Sequence, residues 1–146
     1  MGKGGERMPT ADINYFAVIV AAAVNMGLGA FWYSMSGFGK QWMKLSGITK
    51  EDIEKAKKAG MAKSYAIAAA GSLVMAYVLS YIVDFAQAQT IIAGVLSGLW
   101  IWLGFVATVL LGSVLWENKS WNLYAINAGY YLVSLMIMGV ILAVWG

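Results

Sequence analysis

Residues 90–116, TIIAGVLSGLWIWLGFVATVLLGSVLW, decide the fold because no charged side chain interrupts this apolar run. A helix rises about 1.5 Å per residue, so the run is long enough to cross a hydrocarbon core of about 30 Å. Similar apolar runs occupy residues 13–35, 61–84 and 123–145. The sequence therefore predicts an all-α integral membrane protein with four transmembrane helices.

The composition supports this class and narrows the chemistry. Apolar residues make up 61% of the chain and charged residues 12%, whereas soluble domains carry ~25% charged residues. Cysteine and histidine are both absent, which removes thiolate and imidazole ligands together with the commonest general base. No ionisable residue lies deep in a span, so a proton relay is not expected. We therefore expect no catalytic residues, no metal site, no cofactor and no enzymatic activity.

The lengths of the links predict how the spans are arranged. Residues 84–89 and 117–120 are short connections, and short connections make successive helices antiparallel neighbours. This predicts a four-helix up-and-down bundle. Residues 1–12 are predicted to form a polar tail and residues 13–146 a single transmembrane domain, into which residues 36–60 are inserted between the first two spans.

The positions of lysine and arginine predict the orientation in the cell membrane. Six lysines lie between the first two spans, Lys63 lies near the start of the second and Lys119 follows the third, whereas Lys3 and Arg7 lie on the other side. Cytoplasmic loops carry the excess of such residues. Residues 36–60 are therefore predicted to be cytoplasmic, and both termini are predicted to lie outside. Because the basic residues flank apolar spans, we expect the lipid bilayer, and not nucleic acid, as their partner.

Residues 36–60 have the pattern of a helical segment that lies in the membrane interface. Three apolar residues recur at i, i+4 and i+7, with two lysines off that face. Thr49 and Asp52 then resemble a capping box, which would start a second, more polar helix. The segment could serve as an anchoring loop or bind anionic lipid or a partner. The predicted interfacial anchor residues are Phe38, Lys40, Trp42, Lys44 and Leu45.

Small residues at four-residue spacing predict the contacts between helices. Helices in a bilayer associate through close backbone packing, because lipid tails are as apolar as the side chains. Such contacts could join helices within the chain, which we favour, or join copies of the chain in a homo-oligomer. The predicted packing residues are Ala17, Ala21, Gly29, Gly94, Gly98, Gly104 and Gly112.

Polar side chains within the spans form a candidate intramembrane polar site. Asn25 lies in the middle of the first span, where an amide is costly unless it is hydrogen-bonded. Asn127 lies about one turn inside the fourth span. Hydrogen bonds between helices and a path for a polar ligand or ion are both open interpretations. The candidate residues are Asn25, Ser72, Thr108 and Asn127.

Several motifs resemble one known family. They are Gly29-Ala30-Phe31-Trp32-Tyr33-Ser34, Phe38-Gly39-Lys40, Trp42-Met43, residues 102–108 (WLGFVAT) and residues 126–130 (INAGY). The chain after about Asp12 is similar to a prokaryotic family known as domain of unknown function seventeen sixty-one. That family often has His where this chain has Tyr131. The resemblance implies four spans and leaves the activity open.

Taken together, the residues favour association over catalysis. We expect a non-enzymatic accessory subunit or self-associating scaffold, present as a homo-oligomer or in a larger membrane complex. The alternative is a small oligomeric transporter or channel for a polar or lipid-like solute. In that case the candidate polar residues would line its path.

Overall fold

A computed structural model describes residues 12–145, and its regular elements are all helices. Four of them are long and apolar enough to cross a membrane, which confirms the predicted fold class. The observed bounds of these four helices differ from the predicted ones by a few residues. The helices are α1 (Tyr15–Trp32), α2 (Gly39–Ser46), α3 (Lys50–Ala59), α4 (Ala62–Phe85), α5 (Ile91–Leu115) and α6 (Trp121–Trp145).

Side-chain caps set where three of the spans begin. The Thr90 hydroxyl, directly before α5, accepts a hydrogen bond from the backbone N–H of Ala93. The Asn14 side chain accepts hydrogen bonds from backbone N–H groups in the first turn of α1. The Ser120 hydroxyl accepts one from the backbone N–H of Leu123. Because a cap residue directly precedes the helix, α6 begins at Trp121 and not at the predicted residue 123.

A tight turn after α1 explains why the first span is shorter than predicted. A Cβ atom at Gly37 would lie 2.5 Å from the carbonyl oxygen of Phe31, and one at Gly39 would lie 2.5 Å from that of Ser34. Only glycine allows the backbone to pass so close to the end of a helix. The chain therefore leaves α1 after Trp32 and folds back into α2.

The aromatic face of α2 packs on the end of α1. The ring centroids of Phe38 and Trp32 are 4.9 Å apart, and those of Trp42 and Tyr33 are 5.7 Å apart. The lysines of α2 are exposed. Phe38 and Trp42 therefore attach α2 to the end of α1. The interfacial position of the five anchor residues stays a prediction.

The capping box predicted for α3 is present. The Thr49 hydroxyl accepts a bond from the Asp52 backbone N–H at 3.1 Å, and the Asp52 carboxylate accepts one from the Thr49 backbone N–H at 2.9 Å. These bonds to Thr49 lower the pKa of the Asp52 carboxyl, because they favour its charged form. The helix begins at Lys50 for this reason.

The last helix, α6, is the centre of the bundle and contacts α1, α4 and α5. The Asn14 amide donates a hydrogen bond to the Trp145 carbonyl oxygen at 3.2 Å, which places the start of α1 beside the end of α6. Both ends of the described chain thus lie at one end of the bundle, as an up-and-down arrangement requires. Its core contains Ala17, Val18, Ala21, Ala22, Ala76, Leu79, Leu135, Met138 and Leu142.

Two glycines bring α5 into backbone contact with α6. A Cβ atom at Gly94 would lie 2.6 Å from the carbonyl oxygen of Gly139, and Gly98 lies against the carbonyl group of Leu135. The glycines at this contact therefore join helices within one chain. Such close approach increases the van der Waals contact that holds membrane helices together.

A π-helical segment, Trp102–Ala107, interrupts α5. In a regular helix Phe105 would share the packed face of Gly98, because residues seven apart lie on one face. Phe105 is instead 70% exposed, whereas Ala107 is 7% exposed. The wide turn has therefore rotated the second half of α5 relative to the first.

Two of the predicted packing glycines do not pack within the chain. A Cβ atom at Gly104 would meet nothing within 4 Å, and one at Gly112 would meet an atom of Trp116 from the same helix at 3.8 Å. Gly104 is exposed and Gly112 is half-buried, and a Cβ atom at either position would meet no residue of another helix within 4 Å. They lie on the outer surface of the bundle.

Candidate functional site

A buried group of polar side chains surrounds Asn25 in the middle of α1. The Asn25 Nδ2 atom donates a hydrogen bond to the Ser72 hydroxyl of α4 at 2.7 Å. Its Oδ1 atom accepts bonds from the hydroxyls of Tyr130, at 2.9 Å, and Ser134, both on α6. We call these residues, Asn25, Ser72, Tyr130 and Ser134, the Asn25 cluster. It joins α1, α4 and α6.

Gly29 makes room for the Tyr130 hydroxyl. A Cβ atom at this position would lie 3.0 Å from the hydroxyl oxygen of Tyr130. The same hydroxyl also lies 2.8 Å from the backbone carbonyl oxygen of Asn25, one turn earlier in α1. The predicted packing role of Gly29 is thus tied to the Asn25 cluster.

The Asn25 cluster is closed. Asn25 is 6% exposed and Ser134 is fully buried. Among residues 12–145, no buried side-chain nitrogen or oxygen lacks a hydrogen-bond partner. A neutral amide and three hydroxyls can exchange hydrogen bonds, and here they do so with one another.

Aromatic side chains bind one turn of α6 from both sides. The Trp32 and Trp102 indole N–H groups donate to the carbonyl oxygens of Ile126 and Ala128 at 2.9 and 2.8 Å. The Tyr33 hydroxyl donates to the Asn127 side chain at 2.8 Å. We call Trp32, Tyr33 and Trp102 the aromatic collar. It fixes α1 and α5 to residues 126–128 of α6.

Comparison with protein families identifies the domain. The family model described as Protein of unknown function (DUF1761) matches residues 16–143. The chain belongs to this family. Neither the comparison with curated proteins nor the comparison with solved structures finds a match. The DUF1761 match includes every residue of the Asn25 cluster and of the aromatic collar, so both lie within the family's domain.

The structure divides the candidate polar residues among three places. Asn25 and Ser72 meet in the Asn25 cluster, and Asn127 binds Tyr33 in the aromatic collar. Thr108 lies outside both, because its hydroxyl donates to the Gly104 carbonyl of its own helix at 2.8 Å. The four residues therefore do not line one path through the DUF1761 bundle.

Sequence reasoning missed Tyr130 and Ser134. These residues are four positions apart in α6 and share one face, which is the spacing of a polar stripe in an otherwise apolar helix. That stripe was a usable signal. Both residues lie at the level of Asn25 in the bundle, since both bond to its side chain.

Proposed function

We propose that this DUF1761 protein is a non-enzymatic membrane scaffold that self-associates through α5. The observation that supports this most directly is the outward position of Gly104, Thr108 and Gly112, which follow one another at four-residue spacing. We call these three residues the α5 outer face. The same spacing brings helices into backbone contact at Gly94 and Gly98.

The α5 outer face suits a second helix. Small residues let two backbones approach closely in a bilayer, and a Cβ atom at Gly104 would meet nothing within 4 Å. The Thr108 hydroxyl already binds its own helix, so it leaves no unpaired donor toward lipid. A partner helix would gain van der Waals contact there without having to satisfy a polar group.

The closed Asn25 cluster weighs against the alternative of a transporter or channel. A polar path through the bundle would need polar groups that can still hydrogen-bond to a solute. The polar groups of the Asn25 cluster hydrogen-bond to one another instead. A path between copies would need polar groups on the outer surface. The hydroxyl of the α5 outer face is already bound to its own helix.

Cysteine cross-linking tests the proposed interface, because the chain has no cysteine of its own. If two copies meet on a two-fold axis at α5, a Gly104→Cys variant oxidised in native membranes gives a disulfide-linked dimer. A Gly27→Cys variant is the matched control, since Gly27 on α1 also has open space around it. Cross-linking at neither position, or equally at both, contradicts the proposal.

A second experiment separates association from transport. Gly104→Leu should lower the oligomeric fraction in nanodiscs, whereas Gly27→Leu should leave it unchanged. Solute flux into liposomes is measured in parallel. A flux that depends on the protein and disappears in Asn25→Leu would overturn the scaffold function in favour of the transporter.

A further inference from the structure

A cavity of about 560 Å³ opens at the end of the bundle where α1 begins and α6 ends. Its polar lining residues are Asp12 and Asn14 before α1, Ser80 and Asp84 of α4, and Gln87 and Gln89 in the link to α5. Its apolar lining residues come from α1, α4, α6 and the link to α5. The cavity lies away from the Asn25 cluster and shares no residue with it.

Ser80 points to a ligand in this cavity. It is 8% exposed, and its hydroxyl makes no hydrogen bond with any other residue in the part of the chain that the structure describes. The other buried serines, Ser72 and Ser134, are both bonded. Since no buried side-chain oxygen of residues 12–145 lacks a partner, the Ser80 hydroxyl oxygen is not itself buried and faces the cavity that Ser80 lines. A group bound in the cavity would supply its hydrogen-bond partner.

The charge around the cavity favours a cation. Asp12 and Asp84 both line it. In residues 12–145 every lysine lies toward the opposite end of the bundle, at positions 40–63 and at Lys119, and this stretch contains no arginine. The described residues around the cavity therefore offer negative charge without a basic side chain to neutralise it.

The side chains that line the cavity indicate which class of cation it can bind. Carboxylates accept hydrogen bonds, and serine hydroxyls and glutamine carbonyls can do so as well. A primary ammonium group offers three donors to such a lining, whereas a quaternary ammonium has none and is usually held by aromatic rings. No aromatic side chain of the described residues lines the cavity. Its volume leaves room for the carbon body of an organic ligand.

We propose that this cavity binds a primary ammonium group, supplied by a small amine or by the headgroup of an aminophospholipid. Asp84 and Asp12 provide the opposing charge, and Ser80 accepts a hydrogen bond from the ammonium at the buried side. The cavity lies at an end of the spanning helices, where both sources have access. This inference is independent of self-association through α5.

Calorimetric titration of the purified full chain with n-butylamine tests the proposal, and tetramethylammonium and Mg²⁺ serve as comparison cations. We expect saturable binding of n-butylamine alone. Asp84→Asn should weaken it about tenfold or more, because hydrogen bonds to charged groups are among the stronger ones. Ser80→Ala should weaken it by a smaller factor without lowering the melting temperature, since Ser80 holds no bond within the described chain. Glu117→Gln, at the opposite end, is the matched control and should bind as the wild type does.

Nanodiscs distinguish the two sources of the ammonium group. If n-butylamine binds in phosphatidylcholine nanodiscs and is displaced when phosphatidylethanolamine is added, the lipid headgroup is the ligand. If phosphatidylethanolamine leaves n-butylamine binding unchanged, a free amine is the ligand. Three results overturn the proposal: no saturable binding of n-butylamine in either nanodisc, equal binding of tetramethylammonium or Mg²⁺, or unchanged affinity in both Asp84→Asn and Ser80→Ala.

Discussion

The Asn25 side chain gives each of its polar atoms a protein partner in place of water. Its nitrogen donates to one helix and its oxygen accepts from another. An unbonded amide in hydrocarbon would cost several kcal/mol by the usual estimates. A single neutral residue thus joins three helices without placing a charge in the bilayer. The bonds also fix how each helix is rotated about its axis.

Asn25→Leu should lower the free energy of unfolding by about 1–3 kcal/mol, because it leaves the hydroxyls of Ser72 and Ser134 without their partner. Denaturation by dodecyl sulfate in mixed micelles measures the change. Thr108→Val is the control, since that hydroxyl bonds only within its own helix. Equal losses in the two variants would mean that the Asn25 cluster contributes no interhelical stability.

Gly29→Ala should destabilise the bundle by displacing the Tyr130 hydroxyl, to which the new Cβ would lie at 3.0 Å. Tyr130→Phe removes that hydroxyl and should relieve the crowding. The double variant is therefore expected to be more stable than the sum of the two single losses predicts, by about 0.5–1.5 kcal/mol. Strict additivity in the same unfolding measurement would show that the hydroxyl does not limit the approach at Gly29.

The sequence shows which residues of the spans are polar, but it does not show which of them hydrogen-bond to one another. Hydropathy locates Asn25 along its helix, and the cost of a buried amide predicts that it is bonded. Which residue bonds it depends on the rotation of the neighbouring helices, and the apolar pattern of a membrane span leaves that rotation open. For this reason the sequence groups Thr108 and Asn127 with Asn25 and does not single out Tyr130.

At the scale of secondary structure, the π-helical segment of α5 has the largest effect on the surface of the bundle. The π-helical segment holds one residue more than a regular helix would hold in the same length. The buried side of α5 therefore includes Gly98 before the segment and Ala107 at its end, while Phe105 turns outward. Two hydrogen bonds join this segment to α6. The Trp102 indole N–H donates to α6, and the Ala107 carbonyl oxygen accepts a bond from the Tyr124 hydroxyl at 2.8 Å.

Deletion of Phe105 should be tolerated, because it removes an exposed residue and returns α5 to a regular helix. The parts of α5 before and after the deletion would still turn the same faces toward α6. Deletion of Leu96, which is also exposed, is the matched control. It would rotate Gly94 away from Gly139 and break the backbone contact there. Fluorescence-detected size exclusion should show folded protein for the first deletion and aggregation for the second. The reverse order would rule out an inserted residue in the segment.

The positions of the helices were predictable because physical limits fix them. The bilayer thickness sets the length of a span, and hydroxyl or amide caps set its start. The α3 capping box was predicted on this basis and is present. The π segment had no comparable signal, since its residues, WLGFVA, are apolar like the rest of α5.

On the scale of the whole molecule, the bundle has two chemically different ends. One end holds the lysine-rich α2 and α3, and the other holds the Asp12 and Asp84 carboxylates. Between them lies a core whose polar groups are paired. The groups that remain available to a ligand or partner therefore lie at the two ends of the bundle and on its lipid-facing surfaces. This distribution supports recognition of lipids or partners more readily than conduction.

The orientation of these two ends is the prediction that belongs to this scale. The positive-inside rule places α2 and α3 in the cytoplasm and the carboxylate end outside. Single cysteines at exposed positions test it, since the chain has none of its own. An impermeant maleimide added to intact cells should label Gln89→Cys and leave Lys55→Cys unlabelled, and permeabilised cells should label both. Labelling of Lys55→Cys alone in intact cells would invert the topology. The carboxylate cavity would then face the cytoplasm, and its amine would have to come from the cytoplasm or the inner leaflet.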